Sequence, residues 1–457
     1  MKLYQIYGLI IFVGTNVLFS NMSYAKATSP QKFVFKESGS VEDKNYLKSG
    51  SLEQKLMLVP NIINLNHKTY TLPASPATTQ WGVYNRDQPP VLRIKSGDSV
   101  AIETNMAANN QTVPGVTAEE IAQMDNEVPG RGPHTLTGPI YVEEAQPGDV
   151  VRIKFNKIVP RSYAVNVSLP DRGLLPAKFP QGQVKYFYLD VKKMQMEFAP
   201  GIVLPLHPFP GTIAVSRDQA GRFNSVPPGK FGGNMDLPIM TEGSVLYLPV
   251  FVKGALIWTG DSHAGQGNGE INLTAIETAF SEFNITVDVI KHKHIEWPLI
   301  ETPTSWAVVG YDADLNKALN LAIDNSVDFI MRNRKVSKPQ AQKIAYSVWN
   351  CPIAEVVDEV NGIYCMIPKK LNPAKSPILP KMDTAKLYVT YARNNNVLQA
   401  LKDASWAMIN KIATQRKLTP LDAYSLASMA MDCSIAPYKS GEKEVHCMLP
   451  KNLWTMN

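Results

Sequence analysis

The sequence has little that points to nucleic acid as a partner. Charged residues make up only 19% of its 457 residues, and the net charge of +6 is spread along the chain. It contains no block of lysine and arginine and no basic stripe interleaved with aromatic residues, which are the usual marks of a nucleic-acid-binding surface. We therefore expect no nucleic-acid partner.

Long hydrophobic runs are missing beyond the N-terminus. The run from Leu9 to Phe19 follows Lys2 and precedes the small-x-small pattern Ser23 to Ala25, which is typical of a secretory signal peptide cut after Ala25. An uncleaved membrane anchor is the alternative, but the run is too short to span a bilayer comfortably. We expect an exported protein, periplasmic or secreted, with no membrane partner after signal cleavage.

The usual signs of a nucleophilic serine or cysteine are missing as well. The chain has no Gly-x-Ser-x-Gly motif and no Ser-Ser-Lys run, and its four cysteines all lie in the C-terminal part. The first of these motifs places the nucleophile in α/β-hydrolases. Catalysis by a nucleophilic serine or cysteine is therefore poorly supported.

Strands are what the sequence predicts over most of its length, since 34 prolines and 28 glycines indicate a turn-rich, β-dominated chain. Pro90 to Thr104 and Gly138 to Ile158 each contain two alternating apolar runs around a turn, and we predict a hairpin in each. The polar insertion from Ala108 to Pro133 predicts a short helix near its middle, capped by Thr117.

The C-terminal part carries an internal repeat. Ala318 to Leu371 aligns with Ala400 to Leu453 at a constant offset of 82 residues, and each copy predicts two helices and a closing strand. The cysteines obey the same offset, which favours the disulfides Cys351–Cys365 and Cys433–Cys447. Four buried thiols are the alternative. We interpret the copies as packing modules that serve oligomer contacts.

These patterns predict an α+β, β-dominated chain in five segments. They are a signal peptide (1–25), a β-rich body (26–300), a first α/β copy (301–371), a linker rich in proline and lysine (372–385) and a second copy (386–457).

The segment from Gly260 to Glu277, which reads GDSHAGQGNGEINLTAIE, is the strongest candidate for a catalytic or metal-binding site. It follows the almost wholly apolar run from Ser244 to Trp258, so a strand would deliver acids and a histidine into glycine-rich backbone. Glycine lets the main chain approach a ligand closely. Aspartate, glutamate and histidine are metal ligands and also general acids and bases.

Several further motifs follow one another in order between about Tyr70 and Leu371. Besides the Gly260 to Glu277 segment they are Trp81-Gly82, Pro90 to Leu92 with Ser96 to Asp98, Leu136 to Glu143, Pro147 to Asp149, His207 to Gly211, Gly232 to Asp236 and Tyr247 to Val250. Together these motifs resemble those of the acetamidase/formamidase family. The resemblance implies hydrolysis of a short linear amide to its acid and ammonia. It also implies sandwich-like and barrel-like β modules followed by a mixed α/β part, a small-molecule amide substrate and a homo-oligomer.

The chain departs from that family pattern at Asn268, where the family usually has aspartate. The change removes one anionic ligand, and with the duplicated tail it keeps a second hypothesis open, an exported non-catalytic binding or assembly protein on an amidase scaffold. A third hypothesis is a hydrolase for other carbon–nitrogen bonds, such as a larger amide or a carbamate.

Amide hydrolysis needs an activated water, a group that polarises the carbonyl oxygen and a proton donor for the leaving nitrogen. A divalent metal ion fits these residues, calcium or magnesium for oxygen-rich ligands and zinc for a site containing histidine. We predict Glu270 as general base, with Asp261 and His263 also catalytic. The predicted metal ligands are Asp236, Asp261, His263 and Asn234, with His134 or His207 to complete them, Glu103 as the reserve base and Glu277 as a structural residue.

Overall fold

Strands dominate the described chain, with 37% of residues in strands and 21% in helices, which confirms the α+β prediction. The computed structural model describes residues 67–371, 376–438 and 441–455. The predicted signal peptide and the first residues of the predicted linker, 372–375, lie outside these ranges. Among the described helices, none has both the length and the hydropathy to cross a membrane.

The strands in chain order are β1 Thr69–Leu72, β2 Thr79–Trp81, β3 Val83–Asn85, β4 Leu92–Ile94, β5 Ser99–Ile102, β6 Thr135–Val142, β7 Val150–Pro160, β8 Tyr163–Ser168, β9 Gln183–Asp190, β10 Gln195–Ala199, β11 Ile202–Pro205, β12 Phe209–Val215, β13 Arg222–Asn224, β14 Gly232–Asn234, β15 Val245–Pro249, β16 Ile257–His263, β17 Glu277–Thr278, β18 Phe280–Ile290, β19 Leu299–Glu301, β20 Ser305–Asp312, β21 Cys351–Pro352, β22 Asn361–Pro368, β23 Leu387–Asn394, β24 Asp432–Ile435 and β25 Lys443–Pro450. The helices are α1 Ala107–Asn110, α2 Ala118–Asn126, α3 Leu315–Arg334, α4 Lys338–Ser347, α5 Val397–Arg416 and α6 Pro420–Ala430. Short 3₁₀ turns lie at Pro176–Lys178 and Lys451–Leu453.

Two large sheets form the body. The first has eight strands in the order β1-β5-β18-β7-β15-β19-β20-β22. The second has eleven strands, and in it β16 pairs with β12, β17 and β6. Their apolar side chains share one core, which includes the fully buried Phe155, Phe209, Trp258 and Phe283. Because β16 is buried on both faces except at Asp261, its polar end is held rigidly inside the body.

Both predicted hairpins are wrong as strand pairings, although their turns are present. The amide of Asp149 donates to the carbonyl of Gln146, as the predicted turn requires. However, β4 pairs with β6 and β5 pairs with β18, while β6 pairs with β16 and β7 with β18, so each turn leads from one sheet to the other. Each turn therefore lies at a corner between the two sheets. The polar insertion between β5 and β6 also runs from the first sheet to the second, and it borders the cavity described below. Its helix α2 begins at Thr117 with the predicted capping box.

The internal repeat is present and begins earlier than the sequence alignment, at β20 and β23. The first copy does not stand apart, because β19 pairs with β20 and the first sheet runs through residues 300 and 301 without a break. The second copy forms a four-stranded sheet with β21. Both predicted disulfides, Cys351–Cys365 and Cys433–Cys447, are present.

The two copies meet as two subunits meet across a two-fold axis. In the antiparallel pair of β21 and β24, Cys351 lies opposite Ile435, and the amide of Ile353 donates to the carbonyl of Cys433 at 3.0 Å. At the repeat offset, Cys351 corresponds to Cys433 and Ile353 to Ile435. Each copy thus contacts the equivalent residues of the other, which is the pattern of an isologous interface.

Candidate active site

The end of β16 brings an aspartate and a histidine together inside the body. The Nε2 atom of His263 lies 3.3 Å from Oδ2 of Asp261 and 3.3 Å from Oε1 of Glu277. Its Nδ1 atom lies 3.6 Å from Oδ1 of Asp236, and the His263 side chain is 1% exposed. The structure therefore brings polar residues of the glycine-rich segment together, and it places the imidazole among three carboxylates.

A second group of carboxylates adjoins the first. Asp236, Glu270 and Asp358 offer oxygen atoms that all lie within 4.8 Å of one another, and all three side chains are buried. The Nδ2 atom of Asn234 donates to Asp358 at 2.9 Å, and its Oδ1 accepts from the hydroxyl of Thr212 at 2.5 Å. With both ends of its amide bonded in this way, Asn234 holds Asp358 in place, while its role as a metal ligand stays a prediction.

The backbone is strained at three of these acids. Asp236, Asp261 and Glu270 each have φ of 47°, in the left-handed region that residues with a side chain seldom occupy. Such residues cost on the order of 1–3 kcal/mol each and persist where the surrounding structure holds them, often at active sites. The fold thus tolerates strain at all three positions to direct these acids to one place.

Burial and neighbouring charges shift the pKa values of these acids in opposite directions. Burial raises the pKa of Glu270 well above its usual range, and the charges of Asp236 and Asp358 raise it further. Burial also raises the pKa of Asp358, to about 6. Asp261 behaves oppositely, because the charges of His134 and His263 outweigh the effect of burial and lower its pKa. Carboxyl groups whose pKa values diverge in this way are suited to different roles in acid–base chemistry.

The donor set fits a divalent cation. Both carboxylate oxygens of Asp236, Oε2 of Glu270 and Nδ1 of His263 are buried without a hydrogen-bond partner among the described residues. Buried charges without partners are expensive unless they are neutralised or coordinate a metal. Asp236, Asp261 and His263 form a mixed oxygen and nitrogen set, and Asp236, Glu270 and Asp358 form an oxygen set.

Gly211 on β12 has no side chain and so leaves open the space between Asp236, Asp261 and His263. A Cβ atom built on Gly211 would lie 2.4 Å from Oδ2 of Asp261, 2.6 Å from Oδ1 of Asp236 and 2.7 Å from Cε1 of His263. Any larger residue would therefore fill the place where these three side chains converge.

The predicted site residues are only partly brought together. His134 lies at the site, with Nε2 3.8 Å from Oδ1 of Asp261 and Nδ1 3.0 Å from the hydroxyl of Ser225. Glu103 instead faces Arg161, 3.9 Å away, and its side chain is 39% exposed. His207 is exposed at the end of β11. Neither Glu103 nor His207 is among the residues that line the cavity described below.

Two residues of this cluster were interpreted otherwise or not singled out in the sequence. Glu277, interpreted as structural, contacts His263 and lines the cavity. Asp358 and the adjacent buried Glu355 come from the first repeat copy, which was interpreted as a packing module. A signal for them exists, because the second copy has Pro437 and Ser440 at the equivalent positions. Acids present in one copy only are poor candidates for a shared packing role.

Asn268 lies outside the acidic cluster and connects the site segment to the second copy. Its Nδ2 donates to Oδ1 of Asp432 at 2.7 Å, and its Oδ1 accepts from the hydroxyl of Tyr364 at 2.8 Å. Next to it, a Cβ atom on Gly267 would meet the carbonyl of Met431 at 2.4 Å. An aspartate at 268 would repel Asp432, so this departure from the family pattern accompanies the second copy.

A cavity of about 630 Å³ opens onto the acids. Its polar wall includes His134, Asp261, Glu270, Glu277 and Asp358. Asp236 and His263 are not among the residues that line it, so they lie behind this wall. A molecule in the cavity therefore meets Glu270 and Asp261 directly.

The chain belongs to the Acetamidase/Formamidase family. The model of that family matches residues 73–224 and 218–307, which together are more than half of the chain. An acetamidase of Mycolicibacterium smegmatis is 24% identical over 279 residues, covering 48% of this chain and 67% of that protein.

Solved structures agree with this assignment. The crystal structure of an acetamidase from Bacillus halodurans has a TM-score of 0.60 at 26% identity and covers 65% of this chain and 97% of that one. A gamma lactamase from Delftia acidovorans has a TM-score of 0.60 at 17% identity and covers 85% of this chain and 94% of that one, a likeness of fold alone.

Proposed function

We propose that the protein hydrolyses the carbon–nitrogen bond of a linear carboxamide to a carboxylic acid and ammonia. The observation that carries the proposal is a buried glutamate, Glu270, that lines the cavity with one oxygen free of hydrogen bonds among the described residues. The family and the acetamidases that it resembles support the same chemistry.

Glu270 is the proposed general base. Its raised pKa brings the carboxyl closer to the pH range in which it can accept a proton and return it within one turnover. It takes a proton from water as the oxygen attacks the carbonyl carbon, and passes that proton to the nitrogen as the carbon–nitrogen bond breaks. The Glu270 side chain, which is 4% exposed, thus transfers the proton both in the attack of water and in the departure of the nitrogen.

The other residues bind and orient. Asp236, Asp261 and His263 would hold a divalent ion, zinc or calcium, with Asp358 and Asn234 beside them. When bound, such an ion supplies Lewis-acid polarisation of the carbonyl and lowers the pKa of water. His134 faces the cavity and is held by Ser225, which suits it to bind the amide.

Ammonia release from formamide and acetamide, before and after treatment with a chelator, tests the proposal. We expect release by the untreated protein and its loss on chelation, with recovery when zinc or calcium is added back. An Asp236→Asn variant should lose the metal and the activity together. If the protein binds amides but releases no ammonia under any metal condition, the non-catalytic binding protein becomes the better account.

We also propose that the protein is exported and acts as a homo-oligomer. The two disulfides support an oxidising compartment, where such bonds persist. N-terminal sequencing of the protein from its native cell should start after Ala25. Light scattering of the purified chain measures the oligomer directly.

A further inference from the structure

The cavity has two chemically different walls. Beside the acids lies a small hydrophobic cluster that is separate from the two large cores. Six of its residues line the cavity, namely Met106, Ile121, Val165, Val167, Leu169 and Leu273. An apolar cluster that borders a cavity beside polar groups is the usual form of a small-molecule site.

The apolar wall is directly joined to the acids. Leu273 closes a turn with Glu270, since its amide donates to the Glu270 carbonyl at 3.1 Å. Val165 on β8 lies opposite Glu277 on β17 in the strand register. Side chains opposite each other on neighbouring strands are about 5 Å apart. A molecule bound at Glu270 can therefore place its next few carbons against this wall.

The insertion between β5 and β6 forms part of the cavity lining. Helix α2 contributes Ile121 and Asp125 to the lining. Asp125 is held by Arg172, with Nη1 to Oδ2 at 2.9 Å, and Arg172 belongs to the loop that follows β8. The ion pair fixes α2 across the cavity, which gives the long insertion a role in shaping the substrate space.

The volume is far larger than a short amide needs. A cavity of about 630 Å³ lies within the range of about 300–1,000 Å³ found for drug-sized ligands. It would hold about twenty water molecules at about 30 Å³ each, whereas acetamide has about the volume of two or three. Acetamide would leave the apolar wall in contact with water.

We propose that the preferred substrates are primary amides of apolar carboxylic acids, with an acyl group of about five to ten carbons packed against the hydrophobic cluster. This inference rests on the proposed amide hydrolysis. The amide lies at Glu270, the acyl chain runs past Leu273 towards Val167 and Ile121, and ammonia leaves.

A chain-length series tests the substrate class on the wild-type protein. Ammonia release is measured for formamide, acetamide, butyramide, hexanamide and phenylacetamide. Each methylene that enters an apolar pocket should raise kcat/KM about fourfold until the pocket is filled. If acetamide is hydrolysed but kcat/KM is flat or falls along the series, the substrate class is wrong and amide hydrolysis stands. If no member releases ammonia, both proposals are wrong.

A variant pair tests the wall itself. Ile121→Ala removes apolar contact from α2 and should lower the ratio of hexanamide to acetamide kcat/KM roughly tenfold. Glu119→Ala, on the exposed side of the same helix, should leave that ratio unchanged. Thermal unfolding of both variants checks that α2 remains folded. A ratio that is equal in Ile121→Ala and the wild type would place the acyl group elsewhere.

Discussion

Replacing Gly211 with alanine is a direct steric probe of the candidate site. The new Cβ atom would lie 2.4 Å from Oδ2 of Asp261, where ordinary contact begins at 3.4 Å, so that oxygen must retreat by about 1 Å. Asp236 and His263 must move as well. A displacement of that size in a catalytic group costs about 100-fold in rate, and one extra methyl in a packed interior costs about 1–3 kcal/mol of stability.

The measurements are kcat/KM for an amide, metal content and the free energy of unfolding. Gly265→Ala is the matched control, because the nearest atom to its Cβ would be the side-chain end of Ile276 at 3.3 Å, while the backbone atoms of His207 and Pro205 lie at an ordinary 3.9 Å. We expect Gly211→Ala to lose metal and about 100-fold in kcat/KM, and Gly265→Ala to lose little of either. Wild-type turnover and metal content in Gly211→Ala would refute the placement of the site.

Three further outcomes follow from the structure. Asn268→Asp should destabilise the protein by about 1 kcal/mol, because the hydrogen bond from the Asn268 amide to the exposed Asp432 is lost and two carboxylates would face each other. Adding Asp432→Asn should restore stability in urea unfolding, and no rescue would contradict that pairing. Chelator-treated protein should lose stability as pH rises from about 4 through about 6, since the pKa of Asp358 is raised to about 6 in the folded state and the unfolded chain releases that proton first. The pKa shift of Asp358 alone corresponds to roughly 3 kcal/mol in the free energy of unfolding. Asp358→Asn should remove this part of the pH dependence, and an identical pH profile in that variant would argue against the raised pKa. Reduction of both disulfides should lower the melting temperature, as each closes a loop worth about 3 kcal/mol in the chain-entropy model, and unchanged melting after complete reduction would contradict this expectation.

Local patterns predicted the local parts of this molecule. The Gly260 to Glu277 segment indicated Asp261, His263 and Glu270, because a strand followed by glycine-rich backbone delivers side chains near one another along the chain. The turn at Gln146 to Asp149 and the cap at Thr117 also depend on neighbours in sequence, and both are present. In each case the pattern that predicts the structure lies in the residues that form it.

Pairing over long separations was not predictable in the same way. The turns were visible, but nothing in their residues shows that the two strands join different sheets. Asp358 reaches the acids because the first repeat copy adds its strands to the first sheet, a placement set by β19 and β20. The contact of Asn268 with Asp432 depends on how the two copies pack, which the repeat spacing alone does not fix.

The most direct test of the account is ammonia release by the wild-type protein and by Glu270→Gln, measured side by side at saturating metal. Glutamine keeps the shape of the side chain and removes its capacity to accept a proton. We predict that the wild type releases ammonia, and that the variant loses at least about 100-fold in kcat while keeping the thermal transition and metal content. Wild-type turnover in Glu270→Gln would contradict the central claim.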